Sequence, residues 1–266
     1  MSSALPQRLS ALVVARNEAA QLGACLERLA FCYEIVVVLD RSTDDSRNVA
    51  LLHGAKLVEG AWPIEGARRQ AGQDACSCAW ILEVDADERV SPELAAEIKS
   101  TLAARQEAPT GPDWWRIPFD NYIGERLVRY GWGAQFGVGA KAILFRKGCK
   151  AWGEQRVHPK VQMTGTPGGA LANTMQHYLD RDISEMMQRL DRYTTLNAED
   201  LCATGKIGTL RKNVLRIFGR FWKCYVRRKG HREGGLGLAI AIFAGLYPLL
   251  SYLKAAEIQA AGRTKA

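Results

Sequence analysis

The chain has 266 residues, 47% apolar and 24% charged, ordinary globular usage that excludes disordered, collagen-like and coiled-coil classes. Seven cysteines are too few for a disulfide scaffold, and Cys76 and Cys78 lack zinc-type or Cys-x-x-Cys spacing, so a reduced, cytosolic compartment is expected. The net charge of +8 is local: ten Lys and Arg lie between Lys206 and Arg232 without an acid among them, which is an anionic-surface device on a near-neutral body.

Met1 to Arg8 leads straight into a short apolar run, without the basic and apolar regions of a signal peptide, so export is not expected. Leu9 to Ala15 reads as a strand, and Leu22, Cys25, Leu26 and Leu29 follow at helical spacing. Glu34 to Leu39 is β-branched and continuous, as a buried parallel strand requires. Asp40-Arg-Ser-Thr-Asp-Asp45 is rich in N-cap residues and leads into a helix over Ser46 to His53. Ala55 to Val58 predicts a third strand, Glu65 to Cys76 a helix, and Trp80 to Val84 a fourth strand ending on Asp85-Ala-Asp-Glu88. Ser91-Pro92-Glu93 starts another helix with Pro at its first position. Strands alternating with helices predict an α/β layer fold with a mostly parallel sheet.

From Ala108 to Gly169, Gly, Pro and Trp punctuate short strands over Trp114 to Phe119, Ala142 to Phe145 and Val157 to Met163. Asp182 to Cys202 reads as a helix with Ile183, Met186, Met187, Leu190, Tyr193 and Leu196 on one side. Leu210, Val214, Ile217, Phe218, Phe221, Trp222 and Tyr225 form one apolar stripe opposite the basic residues, the pattern of an interfacial membrane helix. Gly234 to Leu253 is twenty residues without a charge, long enough to span a bilayer. Gly235, Gly237, Gly245, Pro248 and Ser251 weaken it, so a helix lying in the cytosolic leaflet is expected, with a buried core helix as the alternative.

Asp85 and Asp87, two apart at the C-terminal end of a strand, enter the crevice where open α/β sheets bind ligands. They are hard oxygen ligands suited to Mg²⁺ or Mn²⁺ on a diphosphate. Asp40 ends the second strand of the same sheet, where it can recognise ribose or base, or cap the following helix.

Taken together, Ala11-Leu-Val-Val-Ala-Arg-Asn17-Glu18, Val36-Val-Val-Leu-Asp40-Arg-Ser-Thr-Asp44 and Ile81-Leu-Glu-Val-Asp85-Ala-Asp-Glu88 resemble glycosyltransferase family 2. The group most resembled is that of the lipopolysaccharide-core β-glucosyltransferases. Arg116-Ile-Pro118, Asn121-Tyr122, Leu144-Phe-Arg-Lys147, Val157-His158, His177-Tyr178 and Arg192-Tyr193 extend the resemblance over residues 8 to 200. It implies a GT-A, Rossmann-like fold over residues 1–203, with a nucleotide-sugar half (1–107) and an acceptor half (108–203). Residues 204–266 follow as a helical membrane-association region. It also implies sugar transfer from a nucleotide donor with inversion, assisted by a divalent cation.

By the same resemblance, Asp87 binds the metal on the donor diphosphate and Asp85 contacts ribose or metal. Ala15, Asn17, Glu18, Asp40 and Arg69 line the nucleotide. The group's Asp-Asp pair is Leu39-Asp40 here, and its Val-His-Glu is Val157-His158-Pro159. An inverting reaction needs a base near the acceptor hydroxyl. Glu154 is the first candidate and Asp120 the second. His158 is a candidate base or metal ligand, and His177 a third protein ligand to the cation, with a structural role the alternative for each histidine. Trp114, Trp115, Trp132 and Trp152 suit an acceptor groove or a core equally. Cys76 and Cys78 are expected to be inert.

Three functions compete. A glycosyltransferase on the cytoplasmic face of the membrane, acting on a lipid-linked or lipopolysaccharide-type acceptor, accounts for both the acids and the basic tail. A sugar nucleotidyltransferase would need a Gly-rich phosphate loop after the first strand, and Ala15-Arg-Asn-Glu-Ala-Ala20 has no Gly. A non-catalytic membrane or nucleic-acid adaptor leaves Asp85 and Asp87 unexplained.

Overall fold

The computed structural model describes residues 8–108, 110–133, 137–153 and 160–264. Two compact units share the chain, Met1–Asp120 with Gly139–His177, and Asn121–Val138 with Tyr178–Ala266.

The first unit begins with β1 (Leu9–Ala15), α1 (Ala19–Glu27), β2 (Glu34–Asp40), α2 (Ser46–Leu52), β3 (Lys56–Gly60), α3 (Glu65–Ala75) and β4 (Trp80–Asp85). The three connections are parallel crossovers, giving the order β3-β2-β1-β4. All seven residues of β1 are buried, as are the last five of β2, which is why Ala11–Ala15 and Val36–Leu39 read as continuous apolar runs. Leu12, Val14, Val36, Val38, Ile81 and Phe145 meet in one core cluster. Helix α3 lies on this sheet through Gly72, where a Cβ would come within 2.4 Å of Leu12 and 2.7 Å of Val38.

After β4 a two-residue turn leads to β5 (Glu88–Val90), a strand that the sequence pattern did not announce, and then to α4 (Pro92–Glu107). Ser91 caps α4 by accepting a bond from Leu94 N–H at 3.1 Å. The chain continues through β6 (Trp114–Ile123), β7 (Arg126–Val128), β8 (Ala140–Arg146), β9 (Lys150–Trp152), β10 (Val161–Met163), β11 (Pro167–Ala170) and β12 (Met175–Asp180). Of the strand expected over Val157 to Met163, residues 157–159 lie outside the described residues. The parallel sector is extended antiparallel, β8 on β4 and β6 on β8, so the sheet is mixed. β12 pairs antiparallel with β5, setting His177 opposite Glu88.

In the second unit, α5 (Ile183–Thr204) is capped by Asp182, whose carboxylate accepts from Glu185 N–H at 2.9 Å. Its buried residues are Met186, Leu190, Thr194 and Ala198, while Ile183, Met187 and Leu196 are exposed. The packed stripe thus follows strict i, i+4 spacing and is narrower than the sequence stripe, leaving Met187 outside the core. α6 (Leu210–Trp222) runs into a π-helical turn over Lys223–Arg227 and a 3₁₀ turn over Gly230–Glu233. α7 (Gly234–Thr264) then continues through Pro248 without a break. At Gly237 a Cβ would collide with the Gly230 carbonyl oxygen, so this glycine permits close packing and does not end the helix. Ile123, Val128, Met186, Leu190 and Ile240 form the core of this unit.

Candidate active site

Register places the site. Ala15 of β1 lies opposite Leu39, Val14 opposite Asp85, and Asp40 opposite Gly60. The C-terminal ends of β1, β2 and β4 therefore share one edge of the parallel sector, bringing Ala15, Asn17, Asp40 and Asp85 to the same crevice.

Residues 17–19 form its rim. Asn17 takes a left-handed conformation with φ of 56°, a conformation Asn tolerates better than most side chains. Its Oδ1 accepts from Thr43 N–H at 2.8 Å, and its own N–H donates to Ser42 Oγ at 3.2 Å. Glu18 N–H donates to Ser46 Oγ and Ala19 N–H to Asp44 Oδ2. The sequence left Asp40 with two roles, and capping of α2 is not among its contacts. Asp45 stands at that N-cap, and Asp44 Oδ1 accepts from Ser46 N–H. Asp40 instead receives Arg41 at 3.0 Å, Trp62 N–H at 3.2 Å and Arg68 at 3.5 Å. Burial opposes its ionisation, and these donors overcome that to hold the carboxyl below the usual aspartate range.

Arg69 is 8% exposed and faces inward. Its guanidinium bonds Glu65 at 2.8 Å, Glu83 at 2.6 Å and Asp85 at 2.9 Å, and lies 4.8 Å from the Trp152 ring centroid. Lys150, also buried, stands 3.1 Å from the second Glu83 oxygen. The other Asp85 oxygen takes Lys141 Nζ at 3.0 Å, and Lys141 reaches Glu88 at 2.7 Å. Glu88 completes the ring by accepting from Asp85 N–H at 2.9 Å. Burial alone would raise the Asp85 carboxyl, but Arg69 and Lys141 together hold it well below the carboxylate range. Glu88 moves the other way: its burial and the nearby Asp85 charge outweigh Lys141 and raise it.

Asp87 sits in the turn between β4 and β5 with Oδ2 3.4 Å from His177 Nε2. Burial works against its charge, and the hydrogen bond and charge of His177 lower its carboxyl overall. Asp87, Glu88 and His177 can each offer a ligand atom within 4.8 Å of the others. Cis ligands about 2.2 Å from an octahedral ion lie about 3 Å apart, so the Asp87–His177 pair fits a divalent cation of the Mn²⁺ or Mg²⁺ class. Both Glu88 oxygens already have donors, making it the weaker ligand.

Among the base candidates, Asp120 accepts from Thr174 Oγ1 at 2.9 Å, while Glu154 and His158 lie outside the described residues. The tryptophans divide between packing roles. Trp115 is buried against Trp80 at 5.4 Å, Trp114 packs on the first core cluster, and Trp132 packs in the second unit with Nε1–H donated to Val128 O at 2.7 Å. Trp152 is the platform for Arg69 and Lys150. Burial pushes the Cys76 thiol up to about 12, consistent with an inert residue.

Lys141, Glu83, Arg68 and Lys150 were not singled out from the sequence. Glu83 carried a signal, because a carboxylate inside Trp80-Ile-Leu-Glu-Val84 must have a buried cation for a partner. Lys141 and Lys150, distant in the chain, carried none.

Residues 10–151 match the family model described as Glycosyl transferase family 2. Over 257 residues, 92% of this chain and 91% of the relative, the sequence is 30% identical to the lipopolysaccharide core biosynthesis glycosyltransferase LpsC of Rhizobium meliloti. An uncharacterized glycosyltransferase of Rickettsia bellii is 32% identical over 108 residues, 40% of this chain and 37% of that protein. The solved structure of glucosyl-3-phosphoglycerate synthase from Mycobacterium tuberculosis, in complex with Mn²⁺, UDP and glucosyl-3-phosphoglycerate, is 18% identical at a TM-score of 0.34, covering 44% of each chain. A family match across the strands that carry Asn17, Asp40, Asp85 and Asp87, joined to a relative aligned along nearly the whole chain, identifies this protein as a member of glycosyl transferase family 2.

Proposed function

We propose that this enzyme is an inverting transferase. In this reading it moves a sugar from a nucleotide-sugar donor to a hydroxyl of a lipopolysaccharide-type or lipid-linked glycan, at the cytoplasmic face of the membrane. The observation that carries this reading is Asp87, lodged beside His177 on the sheet edge that also bears Asn17, Asp40 and Asp85. Residues 1–107 would supply the donor half, 108–203 the acceptor half and 204–266 the membrane-association region. The LpsC name of the full-length relative supports the acceptor class.

Asp87 and His177 would hold the cation, with Glu88 behind them. When bound, a divalent ion neutralises the charge that develops on the departing nucleoside diphosphate. Five carboxylates, Glu65, Glu83, Asp85, Asp87 and Glu88, outnumber the four basic side chains Arg69, Lys141, Lys150 and His177 in contact with them, a setting that suits an added cation. Arg69 acts through Asp85: it fixes that carboxylate from behind, and Lys141 fixes it from the side. Asn17 and Asp40, with Ala15 and Glu18, would bind the nucleoside. The base accepts the acceptor's hydroxyl proton as its oxygen attacks the anomeric carbon and the sugar–phosphate bond breaks, which inverts the configuration. Glu154 is the first candidate for that base, Asp120 the second and His158 the third.

The test is a panel of UDP-, GDP-, ADP- and dTDP-sugars, read by thermal shift and slow donor hydrolysis with and without Mn²⁺. Wild type should be stabilised by one donor in a metal-dependent way. Asp87→Asn should keep its fold and lose turnover by about 100-fold or more, the scale for removing one stabiliser of transition-state charge. Full turnover in that variant would overturn the metal role.

A further inference from the structure

Helix α6 has two apolar flanks, and only one is covered. Asn213 and Cys224 are buried, and Phe221 with Tyr225 packs onto Cys224, Ala241 and Ala244. The other flank, Leu210, Val214, Leu215, Phe218 and Trp222, runs in one row along the helix and stays open to solvent. Leu215 is 61%, Phe218 68% and Trp222 59% exposed. Such a continuous row of large apolar side chains marks an interaction surface. Lys212, Arg216 and Lys223, all exposed, border the row, and Arg211 interrupts it. Arg211, Lys212 and Arg216 also line a shallow open recess with Thr209, Leu215 and Gly219.

The partner is identified by charge and by what α7 is already doing. Ten cations and no acid between Lys206 and Arg232 repel a second copy of this surface and attract an anionic one. α7 is long and apolar enough to cross a membrane, but one side of it is packed within its unit. Ile240, Ala241, Ala244, Ser251 and Ala255 are buried within its unit, and Lys254 bonds Asp191 of α5 at 2.7 Å.

We propose that the outer flank of α6 is a one-sided membrane anchor. Leu215, Phe218 and Trp222 enter the apolar edge of an anionic leaflet, and Lys212, Arg216 and Lys223 meet the lipid phosphates. A tryptophan at the water boundary beside Lys and Arg is the side-chain set such an interface selects. The anchor deepens the transferase reading by bringing the enzyme to a lipid-borne acceptor, although the contact itself needs no sugar.

The full chain is sedimented with phosphatidylcholine vesicles and with vesicles that also contain phosphatidylglycerol. Wild type should bind the anionic vesicles and release as salt is raised from about 0.1 M to about 1 M, where screening shortens to about 3 Å. Joint replacement Leu215→Ser, Phe218→Ser and Trp222→Ser should weaken binding about 100-fold or more, from lost apolar burial. Lys212→Gln with Arg216→Gln and Lys223→Gln should weaken the preference for phosphatidylglycerol and its salt dependence. Brominated lipid should quench part of the wild-type tryptophan emission, and Trp222→Phe, which keeps the fold, should abolish that part.

Undiminished vesicle binding by the serine variant overturns the proposal. So does quenching unchanged in Trp222→Phe, or a wild type that ignores anionic vesicles and forms a dimer that the serine variant cannot form. Because the vesicle assay contains no donor, its outcome bears on the anchor alone, and the transferase reading is decided separately by the nucleotide-sugar panel.

Discussion

Asp85 and Asp87 sit two residues apart, and their neighbours separate their work. Asp85 has one oxygen on Arg69 and the other on Lys141, so its position is fixed before any ligand arrives. Asp87 has His177 at 3.4 Å and no buried cation of that kind beside it among the described contacts. Partners brought in by α3 and β8 hold both oxygens of Asp85, while Asp87 meets His177, a difference that the Asp-x-Asp spacing alone does not show. Arg69 is the hinge of this arrangement. Arg69→Met would leave buried Glu83 and half-buried Asp85 short of a cation, and the expected loss is about 3–5 kcal/mol of stability, measured by urea unfolding. A loss near zero would mean that Lys150 and Lys141 compensate fully.

At the scale of elements, α3 is held against β1 and β2 by the absence of a side chain. Gly→Ala inside a helix ordinarily stabilises by up to about 1 kcal/mol. Gly72→Ala should instead destabilise by about 1–3 kcal/mol, because the new methyl overlaps Leu12 and Val38 and the core must shift. Thermal unfolding decides the sign.

The join of β12 to α5 carries a pH signature. Asp180 is buried, with its carboxylate 2.9 Å from Arg189 Nε. Burial, opposed by Arg189, raises it to about 6 from an ordinary 3.8. Between about pH 4 and about pH 6 the folded chain keeps a proton that the unfolded chain has lost, so this group's contribution to stability falls as pH rises through that window and then levels off. Asp180→Asn should therefore gain on wild type across those pH values in denaturant titrations. A difference that does not change with pH would refute the shift.

For the whole molecule, the basic tail is also part of a folded unit. Met186 and Leu190 of α5 share their core with Ile123, Val128 and Ile240. Deleting Lys206 to Ala266 removes Ile240 and should yield aggregated protein in size-exclusion chromatography, whereas the surface replacements on α6 should leave a monodisperse one. A well-folded truncated enzyme would show that α6 and α7 are an appendage.

The sequence by itself determined the α/β layer order, the strand ends that carry Asp40 and Asp85 with Asp87 just beyond, and the resemblance to glycosyl transferase family 2, because these depend on local periodicity and on short contiguous strings. It also located the charge asymmetry, which is additive along the chain. Only the tertiary structure decided which flank of α6 is covered, that α7 packs through its glycine and proline, and that Arg69, Lys141 and Glu88 enclose Asp85. It likewise brought His177 to Asp87 through the pairing of β12 with β5. Those outcomes depend on residues far apart in the chain, and no periodicity along one segment encodes the partner that another segment will present.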